Sequence, residues 1–396
     1  MRLLPLLLVL AWPAHAAWTW SEPLTVNSAA GPAIFPHLES ANRQNVAVSG
    51  DAVAVVWEDN RDGSPQCYLA TKPETADTFQ PETRLSQSEC FEPVVVALGA
   101  GRFAAAWEEA GKVRAQVLPG GTPINLSGVE SAQATLAFGA GSLYAAWAEQ
   151  AGRFRRIVVA RLEADSSAPG IRFAQPVEAR QPSDGQSWPA LAVTGDGGVT
   201  VAWEDRREHH TVPMVSHSRD DGDFAAPAQL TDLKHGGGTG AALGLGAGTG
   251  AMRPTLSAWG GQGVAAAWLD KRDFLSGYDV YAALDAGTRR FGRNIQVQDS
   301  FGDNMAQWHA KIVGDASGRL LALWDDARDG TPDVWLSVWN GTAFGDDVAV
   351  PAGSGPGAQT DPSATLDGAG RLHLVWLDRG DPQSATRIRY VRGGWR

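Results

Sequence analysis

Residues 189–205 read PALAVTGDGGVTVAWED. Apolar and polar side chains alternate, a Gly/Asp turn interrupts them, and the alternation resumes until it ends on Trp203, followed by acids. A period of two is that of an extended strand with two unlike faces, and Gly-Asp-Gly-Gly is the chemistry of a tight reversal. The same hairpin recurs as NVAVSGDAVAVVWED at 45–59 and PTLSAWGGQGVAAAWLD at 254–270. Its closing Trp stands at 57, 107, 147, 203, 268, 324 and 376, at intervals of 50, 40, 56, 65, 56 and 52 residues. Fourteen residues before each Trp lie Arg43, Pro93, Gln133, Pro189, Pro254, Ala310 and Pro362. Pro suits the first residue of a strand, so the shared offset predicts a first hairpin of nearly constant length.

Each repeat continues with a third strand, as in CYLATK, VRAQVL, RIVVARL or DVWLSVW, and most with a fourth, as in TFQPETRLS, DFAAPAQLT or RFGRNIQVQ. Four antiparallel strands at this period give an all-β fold, a seven-bladed β-propeller of four-stranded blades. The last repeat ends at RIRYVRGGWR without a fourth strand, while Trp18 to Val26 form a strand without a hairpin. The expectation is that this N-terminal strand completes the last blade and closes the ring, which protects its edges.

Residues 1–16, MRLLPLLLVLAWPAHA, combine a basic start, a short apolar run and an Ala-His-Ala cleavage site. That is the pattern of a secretory signal peptide, too short to span a bilayer. The mature domain is then residues 17–396, exported and either periplasmic or secreted, with no membrane insertion. In 396 residues the net charge is −11, so no positive field favours nucleic acid or an anionic membrane. In an oxidising compartment Cys67 and Cys90, 23 residues apart, are expected to form a disulfide.

In such a blade the loops between strands two and three and the blade-to-blade connections share one face, the top. The first-hairpin turns on the other face are short and Gly-rich, so the top carries the varied chemistry, including the Gly-rich run 236–250. The residues preceding the innermost strands are Asn42, Glu92, Ala132, Trp188, Arg253, His309 and Asp361. They are unlike one another and are expected to ring the top mouth of the central channel, as a ligand site requires. Glu92 and Asp361 are candidates for acid and base, His309 for a proton shuttle, Arg253 for an anion clamp and Trp188 for a sugar platform. His209 and His210 are the adjacent pair with metal-ligand chemistry, but no second cluster at ligand spacing accompanies them, and no metal is expected. No dinucleotide or phosphate-binding fingerprint occurs, so no cofactor is expected.

Trp-x-Asp-x-Arg recurs as Trp57-Asp59-Arg61, Trp203-Asp205-Arg207, Trp268-Asp270-Arg272 and Trp324-Asp326-Arg328. Within the repeat, Asp pins the loop and pairs with Arg. Alternatively, four guanidiniums on one face hold an acidic group. Together with D-V-Y and D-V-W third strands, these motifs resemble the sialidase-like propellers with BNR (Asp-box) repeats. Fragments of the Asp-box stand at Ser218, Asp220, Gly222 and Phe224, and at Asp285 and Gly287. The resemblance implies a propeller that handles glycans. The leading expectation is a recognition scaffold whose top face binds a glycan or an extracytoplasmic protein. The alternative is a glycan-active hydrolase or lyase working at the mouth.

Overall fold

The computed structural model describes residues 18–38, 43–163, 170–178, 182–206, 210–219, 222–232, 250–272, 277–303 and 305–395. The N-terminal segment read as a signal peptide and the Gly-rich run up to residue 249 fall outside them. The described residues form seven antiparallel sheets, each ordered by sequence from its inner strand outwards. The inner strands are Val46–Ser49, Cys90–Gly99, Ser131–Gly139, Gln186–Val193, Ala251–Trp259, Trp308–Gly314 and Ala358–Leu366. In the seventh blade Trp18–Trp20 and Leu24–Thr25 pair with Arg387–Trp395, so the N-terminal strand supplies the outer edge and closes the ring.

The second strands are buried along nearly their whole length; Gly263–Asp270 and Leu320–Asp326 expose no residue. Both of their faces meet a neighbouring blade, which is why they read as apolar runs rich in Ala and Val. Seven apolar clusters result, one per seam between consecutive blades, each holding one repeat Trp against the blade before it. Six of the seven indole N–H groups donate to the acid two residues on: Trp57 to Asp59 at 2.8 Å, Trp107 to Glu109 at 3.0 Å, Trp147 to Glu149 at 3.2 Å, Trp203 to Asp205 at 3.2 Å, Trp268 to Asp270 at 2.9 Å and Trp324 to Asp326 at 2.9 Å. The repeat Trp is therefore a seam residue whose polar edge is satisfied within its own motif.

One expectation needs correction. The fourth strands are mostly two-residue pieces such as Thr83–Arg84 and Ile295–Gln296, not full strands; Gly170–Pro176 is the long one. Short outer strands leave little free edge for another chain to pair with. Cys90 opens the inner strand of blade two, and it forms the expected disulfide with Cys67, Cα–Cα 5.5 Å, inside the seam between blades one and two.

Candidate functional site

The top mouth is shaped by a repeated backbone device. Inner-strand pairing skips between Phe91 and Val94, Ala132 and Thr135, Ser187 and Ala190, Met252 and Thr255, Trp308 and Lys311, and Thr360 and Ser363. The first residue of each bulge has a left-handed backbone: Glu92 at φ 51°, Gln133 at 60°, Trp188 at 53°, Arg253 at 54°, His309 at 50° and Asp361 at 57°. Non-glycine residues hold this conformation where their surroundings fix it. In four of the six the acid just after the preceding blade's Trp does so. Glu58 accepts the N–H of Glu92 at 2.7 Å, Glu108 that of Gln133 at 2.5 Å, Glu204 that of Arg253 at 2.7 Å and Asp325 that of Asp361 at 3.1 Å. Blade three has Ala148 at that position, and the Gln133 side-chain carbonyl takes its place, accepting from Trp188 N–H at 2.9 Å.

This register corrects the ring in two blades. Gln133, not Ala132, is the rim residue of blade three. In blade one Asn45 pairs with Val56 as Val94 pairs with Ala106, so the rim position falls on Arg43. Asn42 lies outside the described residues. Blades one and three turn their first hairpins on two residues, Gly50-Asp51 and Ala140-Gly141, with no bulge near the turn. Their rim residues therefore precede Trp by 14 positions, against 15 in the other five blades.

Arg43 floors the mouth. It is fully buried, its Nη2 reaches Glu92 Oε2 at 3.1 Å, and its Nη1 reaches the Pro189 carbonyl of blade four at 3.4 Å. Lys311, from blade six, donates its Nζ to the Arg43 carbonyl at 2.8 Å. Burial and the nearby Arg43 charge push the Lys311 ammonium down to about 7. Glu108 sits beside Glu92; burial, then the Glu92 charge, push its carboxyl up to about 7. Glu108 also lines a top cleft of about 460 Å³ between blades two and three, with Phe91, Glu130 and Arg155.

Across the mouth, His309 holds two carboxylates: Nδ1 lies 2.6 Å from Asp325 Oδ1 and Nε2 lies 3.2 Å from Asp361 Oδ1. Burial raises the Asp325 carboxyl despite the neighbouring His309. The Arg253 guanidinium lies 3.2 Å from the Trp188 ring centroid, and its Nε lies 3.9 Å from Glu204. That contact covers a face of Trp188, which a sugar platform would need free. The exposed aromatic is instead Trp308, 40% exposed, 5.3 Å from the Tyr278 ring and next in sequence to His309. Burial, then the Glu204 charge, raise the Tyr278 hydroxyl. Phe35, Phe91, Val129, Phe301 and Met305 are also exposed on top-face segments.

The Trp-x-Asp-x-Arg arginines serve their own motifs. Arg61 Nη2 lies 2.5 Å from Asp59 and its guanidinium 4.1 Å from the Tyr68 ring. Arg272 reaches Asp270 at 2.7 Å and stacks 3.8 Å from Tyr281; Arg328 reaches Asp326 at 2.6 Å and Asp347 at 2.8 Å and stacks on Trp335 at 4.1 Å. Each also donates its backbone N–H to the same Asp. These guanidiniums are occupied by intramolecular carboxylates, away from the mouth. Arg207 and His209 lie outside the described residues, and His210 is half-buried.

One three-residue group of metal-type side chains, Glu74, Asp367 and His373, occurs among the described residues, at the opposite end of the seam between blades seven and one. Its atoms are already used: Glu74 by Arg371 at 2.8 Å and Arg392 at 2.5 Å, Asp367 by Arg371 at 2.7 Å, and His373 by Tyr390 at 2.7 Å and Asp367 at 3.2 Å. Two arginines make it a seam-locking network, not a cation site.

The residues missed by sequence reasoning, Glu58, Glu108, Glu204 and Asp325, all follow the repeat Trp directly. Strand alternation carries the signal, because Trp and the Asp two residues on share one face and the residue between them takes the other.

No family model matches the chain, and no curated protein matches its sequence. Solved structures do resemble it. A protein of unknown function from Dyadobacter fermentans DSM 18053 superposes with TM-score 0.57 at 12% identity, covering 96% of this chain and 99% of that one. The polysaccharide lyase Uly1 gives 0.56 at 11% identity over 89% and 90%. The β-propeller domain of the Trilobed protease from Pyrococcus furiosus, described as having an open velcro topology, gives 0.53 at 9% over 90% and 93%. At these identities the likeness is one of fold. The chain is a seven-bladed β-propeller whose ring is closed by its own N-terminal strand.

Proposed function

We propose that this protein is an exported glycan-recognition propeller, periplasmic or secreted, related to the sialidase-like repeat proteins, that binds a saccharide on its top face. The observation that carries this reading is the pairing of exposed Trp308, backed by Tyr278, with the adjoining His309–Asp325–Asp361 cluster. An aromatic face takes the apolar side of a sugar ring, and fixed carboxylates and an imidazole take its hydroxyls. Arg253 and Glu204 supply polar partners on the neighbouring blades. The disulfide suits an oxidising compartment, and among the described residues no helix is long and apolar enough to cross a membrane. A glycan array followed by calorimetry tests the reading: the bound glycan should lose at least tenfold in affinity for Trp308→Ala. An array without hits, with an envelope protein captured instead, replaces the saccharide by a protein partner.

A second reading, a glycan-active hydrolase or lyase, draws support from Glu108. A carboxyl held near neutrality on the wall of an open cleft suits general acid catalysis. Its mark is turnover of the bound glycan that Glu108→Gln abolishes while binding persists.

A further inference from the structure

Beneath the rim lies a second row of inner-strand residues, each two residues beyond the rim residue and one strand repeat, about 7 Å, deeper. Its polar members are Asn45, Thr135, Thr255, Lys311 and Ser363, all buried. Asn45 N–H donates to Ser363 Oγ at 3.0 Å, joining blades one and seven, and Lys311 Nζ of blade six reaches the Arg43 carbonyl of blade one, spanning two non-adjacent blades.

The charges in this space do not balance. Among the described residues Arg43 has one carboxylate partner, Glu92, at 3.1 Å. Lys311 forms no ion pair among the described residues, and its one hydrogen bond is to a neutral carbonyl. An ammonium has three donors, so two are unspent. Arg43 Nε and Thr255 Oγ1 are also buried without a hydrogen-bond partner. Thr255 and Lys311 hold the same level on adjacent blades, opposite Ala267 and Leu323, which each precede the repeat Trp. An unmatched buried charge costs several kcal/mol, and orphaned donors add to it.

We propose that the axial channel beneath Arg43 is an anion site that holds one small monovalent anion of halide size between Lys311 Nζ, Arg43 Nε and Thr255 Oγ1. A buried ammonium without an ion-pair partner among the described residues is complemented by one negative charge. The Arg43 carbonyl and guanidinium lie between this level and the mouth, bonded to Lys311 and to the Pro189 carbonyl, which favours a small anion over a larger oxyanion. The bound anion would fix Lys311, and through it the Arg43 floor of the mouth, in place. This site is independent of the glycan reading.

The test uses the full protein exchanged into sodium gluconate at pH 6. Chloride or bromide is titrated in at constant ionic strength while thermal unfolding is followed. The midpoint should rise by several degrees and saturate. Crystals soaked in bromide should show an anomalous peak on the propeller axis within hydrogen-bond reach of Lys311 Nζ. Lys311→Met should lose both effects, and Thr255→Val, which removes only a hydroxyl, should raise the half-saturating halide concentration several-fold. Trp308→Ala should leave the halide response intact. An unfolding midpoint indifferent to halide, or bromide confined to the outer surface with water on the axis, overturns the proposal. Should Lys311→Met fail to fold, an unshifted halide midpoint in Thr255→Val overturns it equally.

Discussion

The Glu204 carboxylate accepts the backbone N–H of Arg253 at 2.7 Å and so joins the end of a second strand in blade four to the left-handed bulge that opens blade five. The same clasp links Glu58 to Glu92, Glu108 to Gln133 and Asp325 to Asp361. A residue type repeated at this position thus holds open a mouth whose seven rim residues are of six types. Scaffold and site are separated within three consecutive positions: Trp packs the seam, the next residue clasps the neighbour, and the Asp after it closes the loop.

Removing one clasp should destabilise the seam without unfolding the ring. Glu204→Ala frees a strained N–H and the Arg253 side chain, and should cost about 1–3 kcal/mol. Urea unfolding of the variant beside wild type checks this. A loss below about 0.3 kcal/mol, within ordinary surface variation, would show that the bulge needs no acceptor.

The repeat Trp should be far less replaceable. Trp268 is fully buried between blades four and five and donates to Asp270. Trp268→Ala leaves a large cavity and should cost about 3–5 kcal/mol. Trp268→Phe fills most of that space but removes the indole donor to Asp270, which keeps Arg272, and an intermediate loss is expected. Equal denaturation midpoints for the two variants would mean that packing alone matters.

Much of this was legible in the sequence. The alternation ending at Trp, seven times over, sets the blade number, and the missing last strand announces the N-terminal closure. The rim was legible where Pro follows it, at Glu92, Trp188, Arg253 and Asp361. It was blurred in blades one and three because a hairpin turn shorter by one residue shifts every position upstream, and no local residue type advertises that change. So Asn42 stood in for Arg43, the residue that floors the mouth. Side-chain direction was hidden too: Trp188 looks like a platform until Arg253, from the next blade, is seen lying on it. Contacts between residues about 65 apart depend on how far each blade is rotated about the axis, a tertiary quantity that strand periodicity does not encode.

The disulfide should contribute measurably. Cys67 and Cys90 close a loop of 23 residues across the first seam, and constraint of the unfolded chain over such a loop is worth about 3 kcal/mol. Replacing both by Ala should lower stability by that order while leaving the top face unchanged. Denaturant midpoints measured with and without a reductant check it, since the double variant should be insensitive to reductant. A double variant as stable as wild type would remove the link from the stability account.

Glu108 should leave a signature in the pH dependence of stability. Burial, reinforced by the Glu92 charge, raises its carboxyl from 4.5 to about 7 in the folded protein. A group whose folded value lies above its unfolded value binds more protons when folded, so its stabilisation is complete below the unfolded value and is lost as pH rises through the folded one. Wild type should therefore lose stability, by an amount on the order of a few kcal/mol, between pH 4.5 and about 7. In Glu108→Gln the amide keeps the hydrogen bond from Gln133 N–H but cannot ionise, so the loss in that window should shrink by the Glu108 share, leaving that of Asp347, whose carboxyl burial also raises to about 7. Urea midpoints of both proteins across this pH range make the comparison. Parallel profiles for the two would show that Glu108 titrates as an ordinary surface carboxylate, and with that the case for it as a proton donor at the mouth would fail.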